Sequence, residues 1–387
     1  MSESTPRWTV FCAMIDNFGD IGVCWRLARQ LVHEHALKVQ LWVDDWSALQ
    51  RFLAAQPQEP GIELRHWLPD WPVAEDVSRE VASSAVVIEA FGCELPTPVK
   101  AALAEAKNPP LWINLEYLSA EDWVSGCHGL PSPQNLSPSI RKYFFFPGFE
   151  TATGGLLREN GLIERHRHWQ GNLYAERKAL LQDYGVDLPV DALMVSVFSY
   201  ENPALAGWLD SLAEATEPAV CLIPQGRSLN SLQLPAGQQQ PGTVIQRGAL
   251  TLIVTAFSSQ DDYDRLLSLC DFNLVRGEDS FVRAQWAAKP VLWHIYPQDD
   301  NVHLAKLQAF MECYLDGLDP GIKNQFEQFV RRWNQGEDCR DLWHYLRPQL
   351  PELLMHARKW QQKLAEQPDL ATNLVRFSSW PPARLTP

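Results

Sequence analysis

The chain predicts an α/β protein made of two doubly wound parallel-sheet domains in series, followed by a helical C-terminal segment. Three observations predict this. Short apolar runs alternate with amphipathic stretches through the first half. The alternation lapses in a Pro- and Ser-rich region and then starts again. Beyond about residue 321 only helical spacing remains. Strands that alternate with helices form parallel sheets covered on both faces. A length of 387 residues accommodates two domains, and a hydrophobic fraction of 46% supplies each with a core.

In the first half the apolar runs predict strands at 8–14, 38–43, 62–67, 84–90, 110–115 and 142–146, with helices at 20–35, 46–55, 75–83 and 97–106. The segment 127–140 reads as a loop, and so does 147–155, which precedes a polar stretch to about 175. In the second half strands are expected at 192–199, 218–223, 250–257, 272–276 and 290–295. Helices are expected at 175–184, 203–215, 261–270, 280–288 and 299–315. Leu353, Leu354, His356, Ala357, Trp360 and Leu364 then recur at helical spacing. The expected division is a domain over 1–175 and a second over 176–359, with the tail from about 360 to 387 packing back on the first.

Charge and cysteine usage narrow the function classes. With 33 basic and 47 acidic side chains the net charge is -14, which argues against a nucleic-acid partner. The eight cysteines are scattered and form no Cys-x-x-Cys pair, and several lie in apolar runs and read as buried free thiols, which suits a reducing compartment. No apolar run approaches the roughly 18 residues of a membrane span, and Met1 to Arg7 has no signal-peptide pattern. A cytoplasmic protein without a membrane partner is expected. The 16 tryptophans serve cores and, in part, aromatic-lined surfaces.

The most informative segment is Ile15-Asp-Asn-Phe-Gly-Asp-Ile-Gly22. It joins the first strand to the first helix, and the carboxyl end of such a strand is where open α/β sheets bind ligands. Gly-x-Gly-x-x-Gly is absent, which argues against a nicotinamide dinucleotide. Two carboxylates, Asp16 and Asp20, converge there instead and suit a cationic ligand or proton acceptance. The plainer reading is that Asp20 caps or opens the helix and Asp16 fixes an Asx turn. The pairing of the two at a strand end favours function.

In the second half the strand Phe272–Arg276 runs through Gly277-Glu278-Asp279-Ser280 into a helix. Helix-start amides near Ser280 suit a diphosphate. Arg276 can neutralise it, Ser280 can add a hydroxyl, and Glu278 can bind a sugar hydroxyl. Capping by Asp279 or Ser280 accounts for the same residues equally well. Phe198 and Tyr200 share a side if their strand continues, with core packing of Phe198 and exposure of Tyr200 as the alternative. Phe257 and Gln260 suit a pyrimidine base, or a core contact and a turn. Tyr296, in Tyr-Pro-Gln-Asp-Asp-Asn301, faces a sugar or merely precedes a helix cap. Asp44-Asp45 reads as a solvated turn, and His166 and His168 lack companion ligands, so no metal site is expected.

Two Rossmann-like domains with a helical tail match the GT-B glycosyltransferase architecture, in which the domains face each other across a cleft. Ile15 to Leu31, Leu41-Trp-Val-Asp-Asp45, Glu89-Ala-Phe-Gly-Cys93, Trp112-Ile-Asn-Leu-Glu-Tyr-Leu118, Phe144-Phe-Phe-Pro-Gly-Phe149, Phe198-Ser-Tyr200 and Arg276-Gly-Glu-Asp-Ser-Phe281 together resemble the bacterial elongation factor P arginine rhamnosyltransferases (EarP). The resemblance runs over nearly the whole chain. It implies an inverting, metal-independent transfer of L-rhamnose from dTDP-β-L-rhamnose, the donor substrate, to one arginine of elongation factor P. That modification supports translation of polyproline stretches, and the reaction needs no cofactor. It also implies Asp20 as the catalytic carboxylate with Asp16 assisting, and acceptor contacts from Asp16, Asn17, Gly19 and Asp20. The donor site would comprise Phe198, Tyr200, Phe257, Gln260, Arg276, Glu278, Asp279, Ser280 and Tyr296. Without the resemblance, a GT-B transferase for another acceptor and a non-catalytic nucleotide-sugar-binding protein both stay open.

Overall fold

The structure, a computed structural model, describes residues 6–15, 18–68, 75–187, 189, 191–298 and 301–379. The chain forms two compact units. The first runs to Asn160 and is rejoined by the chain from Glu366; the second spans Gly161–Ala365. The division therefore falls earlier than the expected 175/176, and the return to the first unit comes later than 360. Among the described residues no helix is long and apolar enough to cross a membrane.

The first unit holds strands β1 (Arg7–Cys12), β2 (Lys38–Val43), β3 (Ile62–His66), β4 (Val86–Ala90), β5 (Leu111–Leu115) and β6 (Lys142–Phe145). Their order is β3-β2-β1-β4-β5-β6, and every neighbouring pair is parallel. The chain steps outward from β1 to β3 and then crosses back to β4, so the switch point lies between β1 and β4. Helices α1 (Gly19–His35), α2 (Trp46–Leu53), α3 (Glu75–Ala82), α4 (Thr97–Glu105) and the short α5 (Trp123–Cys127) connect the strands.

Strand alternation sorts the apolar side chains onto two faces. Val10, Cys12, Leu41, Val43, Ile88 and Ile113 pack with Ile21, Trp25 and Leu31 of α1. Phe11, Trp42, Val87 and Trp112 pack on the other face with Val81, Val99 and Leu103. Burial on both faces explains why these strands read as continuous apolar runs.

The second unit opens with α6 (Leu162–Gly171) and α7 (Leu173–Gln182), so the stretch expected only to be polar is helical. Leu162 and His166 are the buried residues of α6, too few to mark an apolar stripe in the sequence. The sheet comprises β7 (Leu193–Val197), β8 (Ala219–Pro224), β9 (Val244–Arg247), β10 (Leu250–Thr255), β11 (Phe272–Arg276) and β12 (Val291–His294). Its order is β12-β11-β7-β8-β10-β9, which puts the switch point between β7 and β11. β9 was not expected. It is a half-exposed edge strand, antiparallel to β10 across Gly248-Ala249. Gly248 has a φ of 54°, and a Cβ there would stand 2.2 Å from the carbonyl oxygen of Ala213, so only glycine closes this hairpin.

The helices of this unit continue as α8 (Ala204–Ala213), α9 (Arg227–Asn230), α10 (Gln260–Leu269), α11 (Asp279–Trp286), α12 (Val302–Tyr314), α13 (Pro320–Gln335), α14 (Arg340–Leu346) and α15 (Leu350–Ala365). The last helix, α16 (Leu370–Ser379), belongs to the first unit, where Leu370, Ala371 and Leu374 complete the core beside α1.

Candidate functional site

In the second unit the expected donor residues gather at the carboxyl ends of β7 and β11. β7 stops at Val197, so Phe198 and Tyr200 lie beyond the strand and their common side does not follow from strand alternation. They converge all the same. The Arg276 guanidinium carbon lies 4.8 Å from the Phe198 ring centre and 4.7 Å from that of Tyr200. A guanidinium held against aromatic faces keeps its charge and loses little freedom on binding an anion. The expected alternative for Tyr200, an exposed loop, is overturned: Tyr200 is 3% exposed.

The loop carrying these rings is anchored by its neighbour. The Ser199 amide donates to Ser228 Oγ at 2.7 Å, and Ser228 Oγ donates back to the Ser199 carbonyl at 2.7 Å. Asn202 adds hydrogen bonds to the Trp333 carbonyl and from the Ala204 amide.

Beyond β11, Gly277 takes a φ of 62° and turns the chain into α11. The N-cap of α11 is Glu278, and no side chain caps it. Capping by Asp279 or Ser280 is thus overturned as an explanation of this sequence. The first-turn amides of a helix have no acceptor within the helix, so this end suits an anion. Gln260, at the start of α10, donates to Asp279 Oδ2 at 3.0 Å. Lys306 of α12 lies 3.3 Å from Glu278 Oε1 and adds a cation that the local spacing did not signal.

Tyr296 is 41% exposed and packs edge-on against Tyr200 at 5.6 Å. Phe257, 43% exposed, lies in the β10–α10 loop, at the carboxyl edge but two strands from the switch point. Two residues missed in the sequence border Tyr200: Arg227, whose guanidinium lies 5.1 Å from its ring centre, and His294, edge-on at 5.2 Å. His294 pairs in register with Arg276. Burial first, then the Arg276 and Arg227 charges, push its pKa down to about 4.

In the first unit Asp20 lies in the first turn of α1, and Phe18 is the N-cap. Asp20 is 3% exposed, and its Oδ2 accepts from the Ile15 amide at 2.8 Å. The adjacent Met14 amide donates to Asp44 Oδ1 at 2.9 Å. Two carboxylates therefore hold consecutive amides of the β1–α1 loop, and a negative charge sits at the positive end of α1. Asp45 is the cap of α2, accepting from the Ala48 amide at 2.8 Å. Beneath Asp20 the Cys12 thiol is held well above its usual range by its contact with Cys24, by burial and by the Asp20 charge. All eight cysteines are free, as expected, and Cys12, Cys24 and Cys93 behave as inert core thiols.

Across the switch point, after β4, Phe91 and Glu94 adopt φ of 57° and 44°, and Phe91 stacks on Tyr117 at 4.7 Å. Left-handed non-glycine residues of this kind concentrate at binding sites. Gly19, expected among the acceptor contacts, is the first residue of α1. Asp16 and Asn17 lie outside the described residues, as do Asp299 and Asp300. Among the described residues no three His, Cys, Asp or Glu side chains group as metal ligands.

The family model described as elongation factor P (EF-P) rhamnosyltransferase EarP matches residues 8–379. The protein-arginine rhamnosyltransferase of Pseudomonas putida is 52% identical, over 96% of this chain and 98% of its own length. The protein of the same name from Pseudomonas aeruginosa is 47% identical over the same shares, and that of Neisseria meningitidis serogroup B is 37% identical over 97% and 98%. A solved structure from work on EarP-mediated arginine glycosylation of translation elongation factor EF-P superposes with a TM-score of 0.67 at 39% identity, covering 97% of this chain and 99% of that one. At 12% identity and a TM-score of 0.50, over 97% and 99% of the two chains, MurG of Acinetobacter baumannii shares the GT-B fold alone.

Proposed function

The chain belongs to the elongation factor P rhamnosyltransferase (EarP) family, and from that premise we propose that it transfers L-rhamnose from dTDP-β-L-rhamnose to a guanidinium nitrogen of one arginine of elongation factor P, with inversion. The observation that carries the reading is the buried Asp20 carboxylate, oriented by the Ile15 amide at the switch point of the first unit.

The chemistry explains why a fixed carboxylate is wanted. A guanidinium keeps its proton, with a pKa above about 12, and is a poor nucleophile. Asp20 binds it by charge-assisted hydrogen bonds, aims one nitrogen at the anomeric carbon, and accepts the proton lost as the C–N bond forms. Asp16, by the family resemblance, holds further N–H groups.

On the donor side, Arg276 and the first-turn amides of α11 stabilise the charge that develops on the leaving dTDP. Ser280 adds a donor to the diphosphate and Asp279, bound by Gln260, holds that turn in place. Glu278, fixed by Lys306, takes a sugar hydroxyl. Phe198 and Tyr200 hold Arg276, Tyr296 faces the sugar, and Phe257 with Gln260 serves the thymine. Inversion requires base and leaving group on opposite faces of the anomeric carbon. With this positive charge in place the transfer runs without a metal, and the rate is expected to be unchanged in EDTA.

Intact-mass spectrometry of elongation factor P, incubated with the protein and dTDP-rhamnose, tests the proposal. One added deoxyhexose, mapped to a single arginine, with an α-linkage by NMR, is the expected result. An unmodified acceptor alongside measurable dTDP-rhamnose binding would overturn the acceptor assignment and leave the donor assignment standing.

A further inference from the structure

The adjacent carboxylates that follow β2 face different neighbours. Asp45 serves α2: its side chain accepts from the Ala48 amide at 2.8 Å and from Ser47 Oγ at 3.1 Å. Asp44 turns the other way. Its Oδ1 accepts from the Asp45 amide and, in the neighbouring β1–α1 loop, from the Met14 amide, both at 2.9 Å. Asp44 is half-buried and is itself fixed from the end of β3. His66 Nε2 donates to its carbonyl at 2.9 Å, and the Trp67 amide donates to the Val43 carbonyl at 3.2 Å. The solvated turn expected for Asp44-Asp45 therefore describes Asp45 and not Asp44.

The loop that Asp44 holds is the one that runs from β1 into Asp16 and Asp20. Met14 packs at the margin of the core and Ile15 is 61% exposed, so packing alone does little to place their backbone. Hydrogen bonds to ionised acceptors do it instead, and such bonds are among the stronger ones. The Ile15 amide ties the loop to α1 through Asp20, and the Met14 amide ties it to β2 through Asp44. Without the second tie the loop is held on one side only. A reacting group displaced by about 1 Å costs on the order of 10²-fold in rate.

We propose that Asp44 is a positioning residue for the transfer: through the Met14 amide it holds the β1–α1 loop so that the Ile15 amide keeps the Asp20 carboxylate aimed. This role rests on the assignment of Asp20 as the base, made above, and adds the device that orients it. It involves no contact between Asp44 and either substrate.

The test compares Asp44→Ala with Asp44→Asn. Steady-state transfer to elongation factor P is measured together with amide hydrogen exchange of the β1–α1 segment by mass spectrometry. The alanine removes the acceptor for the Met14 amide. Its kcat should fall about ten- to a hundredfold, with KM for dTDP-rhamnose unchanged, and exchange at Met14 and Ile15 should accelerate. The asparagine retains an oxygen that accepts the Met14 amide and should restore both the rate and the protection. Unchanged kcat in Asp44→Ala would overturn the proposal, as would a higher KM for dTDP-rhamnose with kcat intact. An asparagine variant as slow as the alanine would overturn it too, because the charge and not the Met14 bond would then set the rate. Unchanged exchange in Asp44→Ala would show that the loop is held without Asp44 and would likewise overturn it. Absence of transfer by the unaltered protein would overturn the functional reading, and this role with it.

Discussion

Asp20 shows how a single residue serves both fold and chemistry. Its carboxylate accepts the Ile15 amide, and an asparagine oxygen at that position still accepts it. Asp20→Asn should therefore fold and bind dTDP-rhamnose while transfer falls by about 10²–10⁴-fold, the range for loss of a general base. Calorimetry and single-turnover transfer check the two halves, and near-normal turnover would remove Asp20 as the base. His294 gives a second prediction at this scale. It is buried and neutral, facing Arg276, Arg227, His303, Glu201 and the Tyr200 ring. Its folded pKa, about 4, lies below the unfolded value of about 6.5, so between these the unfolded chain binds the extra proton. Its contribution is complete above pH 6.5 and is lost as pH falls toward 4, by up to about 3 kcal/mol. Urea denaturation against pH should show a shallower acid slope for His294→Gln than for the unaltered protein; parallel slopes would contradict a buried neutral imidazole. Asp20 was legible because it stands in a turn after a strand. His294 was not, because nothing in Val-Leu-Trp-His reveals that Arg276 pairs beside it.

At the scale of elements, three helix starts contrast. α2 is closed by Asp45, α10 by Ser259, while α11 begins at Glu278 with no side-chain cap. Asp279 and Ser280 have the composition of a cap, so sequence could not separate capping from anion binding at α11. The β11–Gly277 turn sets the helix start, and that register put both residues inside the first turn. The Asp264–Arg283 pair fastens α11 to α10 in a region closed to water. Arg283→Ala strands a buried carboxylate, and the expected loss is about 3–5 kcal/mol in chemical denaturation, with dTDP binding weakened because α11 is freed. A loss below about 1 kcal/mol would mean the pair is solvated. Strands β1 and β11 were legible to within two residues because central parallel strands are buried on both faces and mostly apolar. The edge strand β9, Val-Ile-Gln-Arg, was not, because a half-exposed edge carries a weak pattern.

Over the whole molecule the chain leaves the first unit at Asn160 and re-enters it at Glu366. Gln30 of α1 binds both passing strands of chain, donating to the Arg158 carbonyl and to Asp369 Oδ1, each at 2.9 Å. Leu374 of α16 is fully buried against the same core. Leu374→Ala should cost the first unit about 2–5 kcal/mol. Two-unit proteins need not unfold in one step, so calorimetry should show the first unit's transition shift while dTDP binding by the second unit persists. A variant that lost both together would show the two units to be one cooperative block.

By itself the sequence determined the α/β class, the order of nearly all strands and helices, and the turn that holds Asp20. Each is a local matter: apolar period, strand length, glycine in a turn. The resemblance of its motifs added the family, now supported along residues 8–379. The tertiary structure alone decided that α6 belongs with the second unit, that Tyr200 is buried against Arg276, and that Lys306 and His294 stand at the donor residues. These depend on which elements pack together. Side chains separated by many residues meet only when strand order and helix packing bring them to one sheet edge, and no local spacing records that meeting.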